Sequence, residues 1–170
     1  MPAGAQYTVT EVADAVSGKY NVSYTGATGT FKDNTAAKAV VTNTLKTLNL
    51  TITKDVTGEL YNEDDTFVFT VVDNNNYGIE LEVVIAGEGS AVIENLPLGE
   101  YTVTENTAWS FRYDLTHIDE QSANGATSKV VAVDDTVNTV KFTNKAKDNN
   151  KWLDAAALAE NEFAGAGQNN

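Results

Sequence analysis

Short runs of alternating apolar and polar residues constrain this chain most, because alternation with a period of two is the pattern of a half-buried β-strand. Gly, Asn and Asp residues, which favour turns, lie between the runs. Short strands at this spacing predict an all-β fold, an antiparallel β-sandwich. The candidate strands are 48–54, 66–72, 79–86, 90–94, 101–105, 109–116, 129–133 and 138–144.

Three polar residues stand where the alternation calls for apolar ones. Lys54 ends the run LNLTITK, Glu105 ends LPLGEYTVTE and Asn144 ends NTVKFTN, and the residue two positions before each is apolar. Because side chains two residues apart point to the same side of a strand, all three are predicted to point into the core. Burying an amine, a carboxyl group and an amide costs free energy unless they pair, and the simplest pairing is with one another.

A lysine, a carboxyl group and an asparagine held together in apolar surroundings can also react. Lys54 and Asn144 are therefore candidates for a self-formed isopeptide bond, because burial lowers the pKa of a lysine and favours its neutral, nucleophilic form. Glu105 is the candidate catalytic residue, since its carboxyl group can relay a proton to the departing ammonia. The alternative is that Lys54 extends from a strand end to water with Glu105 as an exposed ion-pair partner, and that Asn144 only begins a turn.

An internal repeat adds a second set of candidate residues. The segment PAGAQYTVTE matches PLGEYTVTE further along the chain, and KAVVTN matches the later VKFTN. Glu11 and Asn43 therefore take the positions of Glu105 and Asn144 in a partial copy. The segment that should hold the equivalent of Lys54 is missing from this copy, so the two residues lack their lysine unless another polypeptide supplies it.

The repeat also predicts how the chain is divided. Residues 1–47 are interpreted as the C-terminal half of a preceding repeat, residues 48–146 as one complete domain, and residues 147–170 as a linker or a short helical tail. Neighbouring repeats of the same protein, or a partner chain that donates strands, would complete the first region. Its strand edges would otherwise favour self-association.

Composition excludes several kinds of site and partner. The chain has 24 acidic and 11 basic residues and a net charge of −13, which argues against nucleic acid or an anionic membrane as a partner. With no cysteine and a single histidine, it has neither a disulfide nor a thiolate metal site, and little from which to build a zinc centre or a Ser-His-Asp triad. The acidic clusters at 62–65 and 134–135 lack calcium-loop spacing, so neither a metal nor another cofactor is expected.

Two aromatic residues and two loops bear on ligand binding. Trp109 and Phe111 alternate along the candidate strand 109–116, which favours core packing over stacking against a sugar ring. If the sandwich is instead a binding module, the loops at 73–78 and 121–127 are the candidates for recognising a host glycan or protein.

The motifs LTITK, LPLGEYTVTE and FTN, in this order, resemble those of the CnaB-type domain. This domain is an immunoglobulin-like (prealbumin-like) β-sandwich repeated in the surface adhesins and pilins of Gram-positive bacteria. The resemblance covers residues 48–146 as a full domain and residues 1–47 as a partial one. The middle motif resembles the pilin E-box, here Leu96, Pro97, Gly99, Tyr101, Val103 and Glu105.

The resemblance implies roles for the three buried residues. In that family a first-strand lysine bonds to a last-strand asparagine and the E-box glutamate promotes the reaction, which carries over to Lys54, Asn144 and Glu105. It further implies a structural or stalk module of an adhesin or a pilus-like fibre, located outside the cell and associated with the cell wall. Such a module is no enzyme beyond one self-cross-linking event; the alternative function is a ligand-binding adhesin module.

Overall fold

The computed structural model describes residues 3–12, 17–134 and 138–147. Within these residues the regular structure consists of β-strands and one 3₁₀ turn at Ser17–Lys19, so the prediction of an all-β, largely antiparallel fold is confirmed. The strands are β1 Gln6–Thr8, β2 Tyr20–Thr25, β3 Thr28–Thr30, β4 Val40–Leu45, β5 Thr47–Thr57, β6 Thr66–Asp73, β7 Glu80–Ala86, β8 Gly89–Pro97, β9 Gly99–Glu105, β10 Tyr113–Ile118, β11 Gln121–Ser122, β12 Ser128–Val133 and β13 Thr139–Ala146.

Strands β5 to β13 form two sheets around a shared core. One sheet has the order β11-β10-β13-β5-β8 and the other has the order β12-β9-β6-β7. Burial alternates along β5, β6, β9 and β13, as the period-two pattern predicts, because one face of each strand lies against the core. The fully buried apolar residues of these strands are Leu50, Ile52, Phe67, Phe69, Val71, Tyr101, Val103, Val140 and Phe142.

The pairing of β5 with β13 differs from all the other strand pairs of the described residues. It is parallel, whereas the others are antiparallel. The first and the last strand of the sandwich therefore lie side by side and run in the same direction. Any bond between their side chains would join the two ends of this part of the chain.

Strands β1 to β4 repeat part of the same pairing scheme. Strand β1 pairs with β3 as β9 pairs with β12, and β2 pairs with β4 as β10 pairs with β13, always antiparallel. The repeat that is visible in the sequence is thus also present in the strand pairing. The domain boundaries inferred from the sequence stay a prediction.

The prediction of a strand over 109–116 is wrong at its start. Residues 107–112 form turns, in which the main-chain N–H groups of Trp109 and Ser110 donate to the carbonyl oxygen of Asn106. Trp109 and Phe111 consequently lie 59% and 58% exposed, so their predicted core packing is also wrong. The aromatic alternation is real, but the backbone here is not extended.

Two further expectations concern parts of the chain beyond the sandwich. The predicted linker or helical tail lies outside the described residues, except for Lys147. Among the residues that the structure describes, no helix is long and apolar enough to cross a membrane.

Candidate functional site

Three strands bring Lys54, Glu105 and Asn144 together. Lys54 on β5 stands opposite Phe142 on β13, and Asn144 lies two positions further along the same strand. Neighbouring strands are about 4.8 Å apart and successive residues about 3.3 Å, so a lysine side chain can reach a residue two positions along the next strand. Glu105 ends β9 in the opposite sheet, where it stands across from Phe69. The site therefore lies between the two sheets.

The three side chains are buried, as their positions in the alternation predict. Lys54 and Asn144 are 0% exposed and Glu105 is 1% exposed. The Lys54 amine lies over the ring of Phe67, with 4.6 Å between Nζ and the ring centroid. Hydrocarbon surroundings of this kind exclude water and strengthen the electrostatic interactions within the trio.

The Glu105 carboxyl group connects the amide to the amine. Asn144 Nδ2 donates a hydrogen bond of 2.5 Å to Oε1 of Glu105, and the Ser110 hydroxyl donates to the same oxygen at 3.1 Å. The other carboxyl oxygen, Oε2, lies 3.9 Å from Lys54 Nζ. One carboxyl group thus stands beside both the Lys54 amine and the amide nitrogen of Asn144.

The hydrogen bonds of Lys54 hold its amine close to β13. Nζ donates to the main-chain oxygens of Asp55, at 2.9 Å, and Phe142, at 3.1 Å. Oε2 of Glu105 and Oδ1 of Asn144 are buried and accept no hydrogen bond within the described residues. Each buried acceptor without a hydrogen bond costs about 1–3 kcal/mol, so these two oxygens lower the free energy of unfolding.

Burial changes the protonation of Lys54. Desolvation lowers the pKa of its amine from 10.5 to about 8, against the opposing attraction of Glu105, Asp55 and Glu88, which raises it. A lysine with a pKa near 8 is neutral in about a tenth of the molecules at pH 7. A nucleophilic amine is therefore accessible at physiological pH without an external base.

Ser110 is a member of the site that the sequence analysis missed. Its hydroxyl is buried and orients the Glu105 carboxyl group. The internal repeat contains a signal for this serine. In both copies a serine lies three positions before the tyrosine that begins a strand: Ser17 before Tyr20, and Ser110 before Tyr113.

The partial copy holds the same carboxyl–amide pair in a different environment. Asn43 Nδ2 donates to Oε1 of Glu11 at 3.1 Å, the same two atoms that join Asn144 to Glu105. Both residues are exposed, and none of the ion pairs in the described part of the chain includes Glu11. The structure thus brings Glu11 and Asn43 together, and no lysine of the described residues forms an ion pair with Glu11.

Residues of the acidic cluster at 62–65 form hydrogen bonds within the protein. Asp65 accepts a hydrogen bond from the hydroxyl group of Tyr113, and the main-chain N–H of Asp64 donates to the side chain of Asn62. Among the described residues, no group of three or more His, Asp or Glu side chains is arranged to hold a metal ion.

Residues 50–147, more than half of the chain, match a protein family described as a domain of unknown function, DUF5979. The chain belongs to this family. The matched residues of the DUF5979 domain include all three members of the buried trio. A search of curated proteins finds no match.

Solved structures that are similar to this DUF5979 protein include pilins and adhesins. A Mobiluncus mulieris adhesin containing intramolecular disulfide, isopeptide and ester cross-links is 18% identical over 66% of this chain, with a TM-score of 0.48. The pilus-presented adhesin Spy0125 (Cpa) is 21% identical over 59% of the chain, with a TM-score of 0.49. The major pilin of Streptococcus pyogenes is 19% identical over 70% of the chain, with a TM-score of 0.31. The chain spans 45%, 27% and 54% of the lengths of these three proteins.

Proposed function

We propose that this DUF5979 domain is a structural module of a bacterial surface adhesin or pilus-like fibre, closed by an isopeptide bond between Lys54 and Asn144. One observation carries the proposal: an amine, a carboxyl group and an amide lie buried together between the first and the last strand of the sandwich. The proposed location is extracellular and associated with the cell wall, which suits a chain without cysteine and with a strongly acidic surface.

The proposed reaction exchanges one amide for another. Neutral Nζ of Lys54 attacks Cγ of Asn144, the Nζ–Cγ bond forms, the Cγ–Nδ2 bond breaks, and ammonia leaves. Glu105 accepts the proton that Nζ loses and gives it to Nδ2, because its two oxygens face these two nitrogens. Folding supplies the high effective concentration that a bimolecular encounter lacks. The reaction happens once per molecule and consumes its own residues, so the protein is proposed not to be an enzyme with turnover.

The bond would link the sandwich where a fibre carries tension. Force that enters at the start of β5 and leaves at the end of β13 would pass through the cross-link, and the residues between Lys54 and Asn144 would carry none of it. By the chain-entropy argument used for disulfides, closing a loop of about 90 residues stabilises the fold by roughly 4–5 kcal/mol.

Intact-mass measurement of the folded chain tests the proposal. The wild-type protein should be lighter by one ammonia than its sequence requires, and Lys54→Ala and Glu105→Ala should restore the full mass. Asn138→Ala is a matched control, because Asn138 is another buried asparagine, which donates to the main chain of Asn49. This control should keep the ammonia deficit. A folded wild-type chain of full mass would contradict the proposal.

A ligand-binding adhesin module is the second candidate function, and one observation favours it. Trp109 and Phe111 lie exposed on an open groove of about 290 Å³, beside Arg112 and Asp64. Exposed aromatic rings with charged neighbours suit the stacking and hydrogen bonding of a sugar ring. Binding on a glycan array that is lost in Trp109→Ala but kept in Leu60→Ala, another exposed apolar residue, would support this function.

A further inference from the structure

We propose that Asn124 and Gly125 form a self-modification site. The main-chain nitrogen of Gly125 attacks the side chain of Asn124, and water then converts the asparagine to aspartate or isoaspartate. The site lies in the turn between β11 and β12, and Asn-Gly occurs once in the sequence. The proposal does not depend on the cross-link between Lys54 and Asn144, because it uses other atoms and another nucleophile.

The turn holds both residues in the left-handed region of backbone conformation. The angle φ is 47° at Asn124 and 86° at Gly125, and the main-chain N–H of Ala126 donates to the carbonyl oxygen of Ala123 at 2.8 Å. Asn and Gly adopt this backbone at the least cost, so the segment SANGA favours a turn here. Asn124 and Gly125 are exposed, and an exposed turn opens locally at a small free energy.

The attacking nitrogen is free and unhindered. Within the described residues the N–H of Gly125 donates no hydrogen bond. No atom beyond its chain neighbours lies within 4 Å of the point where a Cβ of residue 125 would stand. Because glycine has no side chain, its nitrogen can approach Cγ of Asn124 once the bond between Cα and the carbonyl carbon of Asn124 rotates.

The amide that is attacked carries a hydrogen bond on its oxygen. The Ser122 hydroxyl donates to Oδ1 of Asn124 at 3.2 Å. Such a bond draws electrons away from Cγ and strengthens as the oxygen gains negative charge in the tetrahedral intermediate. Ser122 therefore stabilises the intermediate of the proposed reaction.

Other exposed asparagines with a positive φ lack this combination. Asn34 and Asn76 have φ angles of 54° and 64°, but Thr35 and Tyr77 follow them, and both carry side chains. The N–H of Thr35 donates to a main-chain oxygen, and that of Tyr77 to the carboxyl group of Asp73. The nitrogen after each of these asparagines is therefore both hindered and held.

The reaction has two steps. In the first, the Gly125 nitrogen bonds to Cγ of Asn124, the Cγ–Nδ2 bond breaks, and ammonia leaves with the proton of that nitrogen. The product is a five-membered succinimide ring. In the second step, water opens the ring at Cγ to give aspartate, or at the main-chain carbonyl carbon to give isoaspartate, whose main chain is one methylene longer.

Either product changes the loop at 121–127. A carboxylate replaces the amide, so the loop gains a negative charge. The longer main chain of isoaspartate also disrupts the turn hydrogen bond between Ala126 and Ala123, and Ala123 is 5% exposed at the edge of the core. Because hydrolysis of the ring is irreversible in water, the modified fraction rises with the age of the molecule.

The test follows deamidation in the folded 170-residue chain during incubation at neutral pH. Trypsin releases Asn124 in the peptide 113–129 and Asn34 in the peptide 33–38, and each peptide contains one asparagine. Mass spectrometry should find aspartate and isoaspartate at Asn124 at least about tenfold faster than at Asn34. The rate at Asn124 should rise from pH 7 to pH 9, because the attacking nitrogen has to lose its proton.

Matched variants test the two contacts that carry the proposal. Gly125→Ala should slow the reaction at Asn124 at least about tenfold, because a methyl group hinders the attack. Ser122→Ala should slow it roughly fivefold, since it removes one hydrogen bond to Oδ1. Ser128→Ala alters an exposed serine outside the turn and should leave the rate unchanged. Thermal unfolding of each variant shows that the sandwich is folded.

Equal rates at Asn124 and Asn34, or an unchanged rate in Gly125→Ala, would overturn the proposal. An unchanged rate in Ser122→Ala would overturn the role of that hydroxyl. The mass of the whole chain keeps this reaction apart from the cross-link. The bond between Lys54 and Asn144 lowers the mass by one ammonia, whereas complete deamidation exchanges one ammonia for one water and raises it slightly.

Discussion

The two carboxyl–amide pairs of this chain are joined by the same kind of hydrogen bond, from Asn Nδ2 to Glu Oε1, but they differ in their surroundings. Glu105 with Asn144 lies in a closed core beside a lysine. Glu11 with Asn43 lies exposed, and in the described part of the chain no lysine pairs with this glutamate. The same YTVTE and TN motifs are therefore sufficient to make the hydrogen bond. They are not sufficient to remove water from it, because desolvation comes from the strands and aromatic rings packed over the pair.

This difference shows that placing the asparagine beside the glutamate and lowering the pKa of the lysine have separate structural causes. In both copies the asparagine lies opposite an aliphatic residue of the neighbouring strand and donates its amide hydrogen to the glutamate. The lowered pKa of Lys54, about 8, has burial as its largest cause and depends on the complete sandwich. The exposed pair thus has the hydrogen bond without the desolvation that lowers the pKa of Lys54.

Removing each asparagine should give the largest contrast between the two regions. Asn144→Ala should lower the free energy of unfolding by at least roughly 4–5 kcal/mol, because it removes the cross-link. Asn43→Ala should change it by less than about 0.5 kcal/mol, since it affects only an exposed hydrogen bond. Urea unfolding checks both values, and intact mass shows which variant lost the bond. Equal losses in the two variants would mean that the buried pair is not cross-linked.

The next largest effect is a pH dependence that only the buried site should show. In Asn144→Ala the lysine stays a free amine with a pKa of about 8 when folded and 10.5 when unfolded. The unfolded chain then holds more protons between these values, so raising the pH favours folding. Stability should increase by about 2–3 kcal/mol from pH 7 to pH 10, and below pH 8 the cost of burying the amine is constant.

Urea unfolding of Asn144→Ala at several pH values measures this dependence, and Lys54→Met in the same background is its control. The control should lose the rise between pH 8 and 10. Above pH 10 both proteins should become less stable, because burial raises the pKa of Tyr101 and Tyr113 to about 12 and their ionisation then favours the unfolded chain. If the stability of the control still increased between pH 8 and 10, groups other than Lys54 would be the cause of the increase.

A third contrast concerns the valines that the repeat makes equivalent. Val103→Ala should destabilise the sandwich by about 2 kcal/mol, because it leaves a cavity in a closed core. Val9→Ala should cost less than about 1 kcal/mol, since Val9 is already partly exposed and its surroundings can relax. Thermal or urea unfolding compares them. Equal losses in the two variants would show that Val9 is packed as closely as Val103.

Local alternation predicted most of the sandwich, and it did so where one face of a strand is buried. Strands β5, β6 and β9 lie close to their predicted bounds, and Lys54 and Asn144 point inward as their positions require. Alternation failed at Trp109 and Phe111, because hydrogen bonds to Asn106 turn the backbone there and a two-residue period does not report turns. The parallel pairing of β5 with β13 is likewise a long-range contact, which no local pattern contains.

The smallest effect tests the residue that the sequence analysis missed. Ser110→Ala removes a buried hydrogen bond to Oε1 of Glu105, the oxygen that also holds Asn144. Loss of this orientation should slow bond formation by about 1 kcal/mol, or roughly fivefold, without preventing it. Refolding from denaturant, followed by the time course of ammonia loss, measures the rate. Ser90→Ala, which removes an exposed hydroxyl contact with Thr53, should leave the rate unchanged. If both variants react at the wild-type rate, the hydrogen bond from Ser110 is not needed to orient Glu105. The buried pair would then differ from the exposed pair only in its lysine and in the exclusion of water.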